Sequence, residues 1–288
     1  MDIIINPKAN GGKAVITLDK VRHILAERNV GFNVWKTAEP KDATKIAAEL
    51  SEKGSDLIVA MGGDGTINEV LNGIDAQKTT MGIIPCGSGN DFVASANIPT
   101  DVEKAVEILL TATPKPTDYM VCGGVRGLNM IGTGIDVDIL KRCKKSKILR
   151  GKLQYLVSLV ISLIKFKFYK FGVVGNDGIK KEKEALIACV GNGTRFGGGI
   201  RMCPKAKIDD GKLDFVIAGK LKKIKIPRAF LKLMKGKILE QDFTSFSLEE
   251  KVKIEFDSPV TVQVDGELYD NLDFDLSIVK GGLKLIRP

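Results

Sequence analysis

Apolar and polar residues alternate in two rhythms along the first third of the chain. Ile3-Ile4-Ile5 is a short apolar run, and Ala14, Leu18, Val21 and Leu25 follow at helical spacing. Residues 32–37 repeat the strand pattern, and Ala43, Ile46, Ala47 and Leu50 mark a second helix. Residues 57–61 are continuously apolar, as expected of a strand buried on both faces. Helical spacing returns over 66–74, where Thr66 and Glu69 predict a capping box. Residues 82–85 predict a fourth strand, and Val102, Ala105, Val106 and Leu109 a further helix. Strands alternating with helices of this length predict an α/β layer built on a parallel sheet.

Near Pro114-Lys115-Pro116 the rhythm changes. Strand-like segments at 185–190, 213–218, 252–256 and 260–264 dominate from there, with hairpin signals at Asp177-Gly178 and Asp265-Gly266. They predict a second, mostly antiparallel domain, so the chain divides into 1–119 and 120–288. One helical interruption is expected across 152–164 and another opening at Pro227, a residue suited to a first helical turn.

Composition narrows the function. A chain of 288 residues, 44% hydrophobic and 27% charged, has the makeup of a folded protein of two domains. The longest apolar stretch, 156–164, is about half of the roughly 20 residues a spanning helix requires, and reads as a buried core helix. The opening Met1-Asp2-Ile3-Ile4-Ile5-Asn6 reads as a strand rather than a signal peptide, so a cytoplasmic protein is expected. Cys86, Cys122, Cys143, Cys189 and Cys203 are scattered, with no C-x-x-C pair, which predicts reduced and mostly buried thiols.

The formal charge of +9 points to an anionic partner: nucleotide, nucleic acid or an acidic lipid surface. Aromatic residues make up only 6%, and the basic segments carry no stacking motif, which argues against nucleic acid. The single histidine, His23, lies in the helical stretch with Leu18, Val21 and Leu25 and reads as structural. A carboxylate is then the natural candidate for a catalytic base.

Three glycine-containing loops carry the chemistry. Met61-Gly62-Gly63-Asp64-Gly65-Thr66 joins a buried strand to a helix at the carboxyl edge of the sheet, where ligands of open α/β sheets bind. Its glycines let N–H groups converge on an anion, and the helix N-terminus adds partial positive charge. Asp64 beside phosphate calls for a divalent cation between them. Pro85-Cys86-Gly87-Ser88-Gly89-Asn90-Asp91-Phe92 ends the next strand, so the two loops should share a ligand. Asn6-Pro7-Lys8-Ala9-Asn10-Gly11-Gly12-Lys13 follows the first strand and offers lysines to phosphate. Neither a Walker A spacing nor a protein-kinase H-R-D or D-F-G set occurs.

Together these loops resemble the diacylglycerol kinase catalytic-domain family, shared by soluble bacterial lipid kinases and sphingosine kinases. Its N-P-x-x-G-x, G-G-D-G-T-x-N-E-V-x-N-G and P-x-G-[ST]-x-N-D-F blocks are matched almost letter for letter. Gly191-Asn192-Gly193, Gly197-Gly198-Gly199, residues 204–214 and Val264-Asp265-Gly266-Glu267 look like the later blocks. The resemblance implies a Rossmann-like nucleotide domain of NAD kinase and phosphofructokinase type, a C-terminal β-sandwich lipid domain, and an active site in the cleft between them.

It further implies ATP and Mg²⁺ as cofactors. The matching nucleotide contacts are Asn6, Pro7, Lys8, Ala9, Asn10, Lys13, Thr37, Gly62, Gly63, Asp64, Gly65, Thr66, Asn68 and Ser88, with Asp91 as a further carboxylate near the nucleotide. A structural magnesium site falls on Asp210 with the carbonyls of Lys207 and Lys212, and Glu267 matches the general base. The implied reaction is phosphorylation of a lipid hydroxyl, with diacylglycerol as the first acceptor to consider; an NAD kinase and a catalytically silent lipid or nucleotide sensor are the alternatives. Such an enzyme docks on the inner face of the membrane, and the basic run Lys141, Arg142, Lys144, Lys145, Lys147, Arg150 and Lys152 is the expected docking face. A homodimer through the sandwich domain is compatible with the resemblance.

Overall fold

The computed structural model describes residues 1–145, 151–165, 168–174 and 179–288, the side chains of 151–156 and 223 excepted. The hairpin expected at Asp177-Gly178 lies outside the described residues, as do Lys147, Arg150 and the side chain of Lys152.

The alternating rhythm folds as β1 (Asp2–Ile5), α1 (Lys13–Glu27), β2 (Asn33–Lys36), α2 (Asp42–Glu52), β3 (Leu57–Gly62), α3 (Asp64–Gly73), β4 (Thr80–Pro85), a short α4 (Asp91–Ser95) and α5 (Val102–Thr111). Strands β2, β1, β3 and β4 lie side by side and parallel, with Ile3 level with Val34 and Val59, and Met61 level with Ile84. Because successive side chains point to opposite faces, Ile3 and Ile5 pack with Leu18, Val21, Leu25 and Val106 of α1 and α5. Ile4 packs with Ala43, Ala47, Ile67 and Leu71 of α2 and α3 on the other face. Each fully buried Leu or Ile of these layers contributes about 1.5–3 kcal/mol relative to exposure.

The second rhythm folds as β5 (Pro114–Cys122), β6 (Val125–Gly127), β7 (Met130–Gly134), α6 (Ile135–Lys145), α7 (Gly151–Lys165), β8 (Tyr169–Val174), β9 (Lys180–Gly191), β10 (Leu213–Gly219), α8 (Ile226–Met234), β11 (Thr244–Glu249), β12 (Lys251–Glu255), β13 (Thr261–Val264), β14 (Glu267–Asp270) and β15 (Phe274–Ile286). These strands pair antiparallel around a core that includes Ile131, Phe171, Phe215, Val264 and Phe274. The described strands form one 15-stranded sheet. The join is β15. Its first half pairs antiparallel with β12 and β5, and its end, Lys284 and Leu285, runs parallel to Thr80 and Met81 of β4. Gly281 and Gly282 interrupt its apolar alternation where its register against β5 shifts, which hides the strand from a periodicity reading.

Two expectations need correction. Helix α3 begins at Asp64 with Gly63 extended ahead of it, so Thr66 lies inside the first turn and makes no capping box with Glu69. Glu69 instead accepts the Ala43 N–H at the start of α2, at 3.2 Å. The 156–164 stretch is not a buried core helix: Ser158, Leu159 and Ser162 of α7 are buried, but Val160, Ile161 and Ile164 are exposed. No helix among the described residues is long and apolar enough to cross a membrane. None of the five cysteines forms a disulfide, and all but Cys143 are buried.

Candidate active site

The two central glycine loops touch each other. Cys86 N–H bonds to the Gly62 carbonyl at 2.8 Å, and Gly63 and Gly87 then pack backbone against backbone. A Cβ on Gly87 would lie 2.5 Å from the Gly63 Cα, so only glycine allows this approach. The Asn90 side chain braces the second loop by accepting from Gly87 N–H at 3.1 Å and donating to the Gly87 carbonyl at 3.0 Å. Helix α3 has no side-chain cap, so the N–H groups of its first turn remain available to an anion. With Asn6, Ala9 and Asn10 from the turn after β1, the loops form one wall of a cleft of about 400 Å³.

Asp64 and Asp91 converge on Gly89. A Cβ there would lie 2.9 Å from Asp64 Oδ2 and 3.8 Å from Asp91 Oδ2. Asp64 Oδ1 accepts from Phe92 N–H at 3.2 Å, and Asp91 Oδ2 from Gly198 N–H at 2.7 Å. Asp91 Oδ1 is buried without a partner. Burial pushes the Asp91 carboxyl up to about 6; the Gly198 N–H opposes the rise and the Asp64 charge adds to it. Two facing carboxylates, one with an orphaned oxygen, fit a hard divalent cation.

The opposite wall comes from the β-sandwich. Asn129, Met130, Phe196, Gly197, Gly198, Gln263, Asp265 and Gly266 face the loops across the cleft. Asp265, expected only as a turn residue, is buried and accepts from the N–H groups of Leu128 (2.7 Å), Asn129 (2.9 Å) and Met130 (2.8 Å) and from Asn68 Nδ2 (3.0 Å). It therefore ties the sandwich hairpin to α3 of the first domain. Asp265 and Gly266 both have positive φ, as the tight hairpin predicts, and Gln263 steadies the turn by accepting from Gly266 N–H at 3.0 Å. Nothing in the local sequence separates Asp265 from a solvated turn aspartate; its burial arises only when β7 and α3 are brought to it.

Glu267 opens β14 directly beyond this turn. Its carboxylate is 3.0 Å from Lys144 Nζ, both side chains about half exposed. The other residues singled out in the sequence fall into three groups. Asn6, Ala9, Asn10, Gly63, Asp64, Gly65, Thr66, Ser88 and Asp91 line the cleft. Lys8, whose Nζ donates to the Ala38 carbonyl at 3.1 Å, and exposed Lys13 flank the first loop with Pro7; Gly62 packs against Thr66, and Thr37 is buried at the end of β2. Asn68 is buried outside the lining, its amide donating to the Arg126 carbonyl and to Asp265, which makes it a link between the domains.

Lys207, Asp210 and Lys212 are not brought to the cleft. Their turn is held by buried Asp118, which accepts from Gly211 N–H at 2.7 Å and from Gly281 N–H at 2.6 Å. Asp210 Oδ1 accepts from Lys212 N–H at 3.0 Å. Nearby Asp214 has a buried, unpartnered Oδ2 and a carboxyl pushed up to about 7, by burial first and by the Asp210 charge second. That pair of carboxylates also suits a cation. Among the described residues no three His, Cys, Asp or Glu side chains gather, so either site would complete its shell with main-chain, water or phosphate oxygens.

Behind Phe196 lies an apolar cavity of about 60 Å³, lined among others by Ile139, Leu159, Leu163, Phe230 and Leu233. Phe196 belongs to the walls of both cavities.

Comparison with known proteins agrees with this architecture. The diacylglycerol kinase catalytic domain model matches residues 1–122, and the YegS C-terminal NAD kinase beta sandwich-like domain model matches 129–287. A Mycobacterium tuberculosis protein named diacylglycerol kinase is 26% identical over 99% of this chain and 94% of its own length. A protein of Enterobacter sp. named "Probable lipid kinase YegS-like" is 31% identical over 75% of this chain and 73% of its own. A Bacillus anthracis crystal structure described as a diacylglycerol kinase superposes with a TM-score of 0.77, at 26% identity, over 100% of this chain and 96% of that one. With both walls of the cleft covered by these matches, the chain belongs to the diacylglycerol kinase and YegS-like family of lipid kinases.

Proposed function

We propose that this protein is an ATP- and magnesium-dependent kinase that phosphorylates a lipid hydroxyl at the membrane surface, converting diacylglycerol to phosphatidic acid. The observation that carries this reading is the shared wall at Phe196, where a glycine-lined anion cradle meets an apolar cavity. A triphosphate and the apolar group next to a lipid hydroxyl need those two environments side by side.

In this mechanism the first-turn N–H groups of α3 and the 87–89 loop hold phosphate oxygens, because glycine keeps side chains out of the way. Asp64 and Asp91 would hold magnesium, which when bound offsets charge on the transferring phosphoryl group. Glu267 takes the proton of the acceptor hydroxyl as that oxygen bonds to the γ-phosphorus. The bond from γ-phosphorus to the bridging oxygen breaks, and ADP leaves with that oxygen. Glu267, two residues beyond the cleft-lining Asp265, is held by Lys144, and Asp265 holds the hairpin that carries it.

The test is transfer of label from γ-labelled ATP to separate lipid alcohols in mixed micelles, with NAD as an aqueous control. Label entering diacylglycerol is the expected result. Label in NAD alone would overturn the lipid reading, and label in another lipid alcohol alone would overturn the choice of acceptor.

A further inference from the structure

The helices that wall the apolar cavity carry a second apolar strip turned away from it. On α8, Ala229, Phe230 and Leu233 line the cavity. Leu231 and Met234 are 60% and 45% exposed, and Ile224, in the turn just before the helix, is 87% exposed. At about 100° per residue, Pro227, Leu231 and Met234 form one flank of α8, and Arg228, Lys232 and Lys235 form the crest beside it. Residues 220–237 contain eight Lys or Arg and no Asp or Glu. Lys220, Lys225 and Lys237 pair with Glu184, Asp242 and Glu240. Among the described residues, Lys222, Arg228, Lys232 and Lys235 form no ion pair.

Three of the described cations of the 141–152 run are engaged differently. Lys141 donates to Thr261 Oγ1 at 2.8 Å, Arg142 Nε to Ser162 Oγ at 3.0 Å, and Lys144 to Glu267 at 3.0 Å. These three cations each have a partner on the sandwich or on α7, which a surface would have to compete with.

We propose that α8 and the turn before it form the surface on which this protein lies on an anionic lipid bilayer. Ile224, Leu231 and Met234 enter the boundary between headgroups and acyl chains, and Arg228, Lys232 and Lys235 pair with lipid phosphates. The pairing of an apolar flank with an adjoining cationic crest is the signature of an in-plane interfacial helix. A nucleic acid would use the cations but leave the apolar flank uncovered, and a second copy of this chain would have to supply an acidic patch against the crest. The proposal rests on the lipid-kinase reading for its purpose: docking here turns the cavity walled by α7 and α8 toward the source of the acceptor.

The experiment is vesicle flotation of the full chain, with pure phosphatidylcholine vesicles and with vesicles containing about one third phosphatidylglycerol. The wild type should bind the anionic vesicles and not the neutral ones. Arg228→Glu with Lys235→Glu should lower partitioning at least about thirtyfold, roughly fivefold or more per charge. Leu231→Ser with Met234→Ser should lower it about tenfold or more. Both double variants should keep the wild-type thermal midpoint and the wild-type turnover on detergent-dispersed acceptor, which separates lost docking from lost fold. Lys145→Glu, at the exposed end of α6, should bind as wild type.

Wild-type flotation by both α8 variants, or loss with Lys145→Glu alone, would overturn the proposal while leaving the kinase reading intact. Equal binding to neutral vesicles would also overturn it, as would α8 variants that lose self-association or RNA binding instead of vesicle binding. Absence of any kinase activity, with α8-dependent flotation retained, would sink the kinase reading alone.

Discussion

The two walls of the cleft are built by opposite means. On the side of the glycine loops, the proposed nucleotide wall, the work falls to the backbone: Gly63 and Gly87 remove side chains so that two loops can touch, and the uncapped turn of α3 presents N–H groups. On the sandwich side, the proposed acceptor wall, it falls to side chains carried by distant elements, with Asp265, Gln263 and Phe196 meeting only when β13 and the 192–199 loop assemble, and Glu267 following just beyond the cleft lining. A backbone site is written in contiguous sequence; a side-chain site is scattered. The nucleotide wall should therefore tolerate almost no added atom, and the acceptor wall should fail when a charge is removed.

Apart from the loss expected on substituting Glu267, the largest effect is expected at the two carboxylates that would hold a cation. Asp64→Asn should lower kcat by about 10²–10³-fold and abolish the dependence of ATP binding on magnesium, measured by calorimetry with and without the ion. Asp265→Ala leaves three buried N–H groups without an acceptor and the Asn68 amide with only the Arg126 carbonyl, and should cost about 3 kcal/mol in urea unfolding. Gly87→Ala should force the loops apart and reduce kcat/KM for ATP about 10²-fold with the sandwich domain unaffected, as checked by steady-state kinetics and circular dichroism.

The last effect, on stability alone, is a pH dependence. Burial pushes the Asp136 carboxyl up to about 7, against the Val137 N–H. The folded state then holds a proton that the unfolded state, with an ordinary carboxyl near pH 4, has released. Stability should fall as pH rises from about 4 to 7 and level off above. Asp136→Asn should flatten that slope in thermal melts between those limits, sharpening the contrast between the acceptor wall, which holds this carboxyl beside the apolar cavity, and the glycine wall.

How much of this was legible follows the same division. The parallel strands, their helices and the three glycine loops stand in unbroken order, and even the burial of Ala14, Leu18, Val21 and Leu25 follows their spacing. The start of α3 was misjudged because a Thr and a Glu at capping spacing say nothing of where Gly63 leaves the strand. Strand β15 was missed because Gly281 and Gly282 break its pattern and its partner β4 lies far away in sequence. Asp265 read as a turn residue, since a buried carboxylate and a solvated one look alike until Leu128, Asn129 and Met130 close over it. The partners of Lys141, Arg142 and Lys144 in the basic run were not legible either, because they lie on elements far away in sequence or on the next helix.

The central claim, that a lipid hydroxyl is deprotonated at Glu267 while ATP is held by the opposite wall, is tested most directly by separating binding from turnover in Glu267→Gln. ATP affinity by calorimetry should equal that of the wild type, and kcat for label transfer to diacylglycerol should fall by about 10²–10⁴-fold. Turnover like the wild type, or loss of ATP binding together with turnover, would contradict the account.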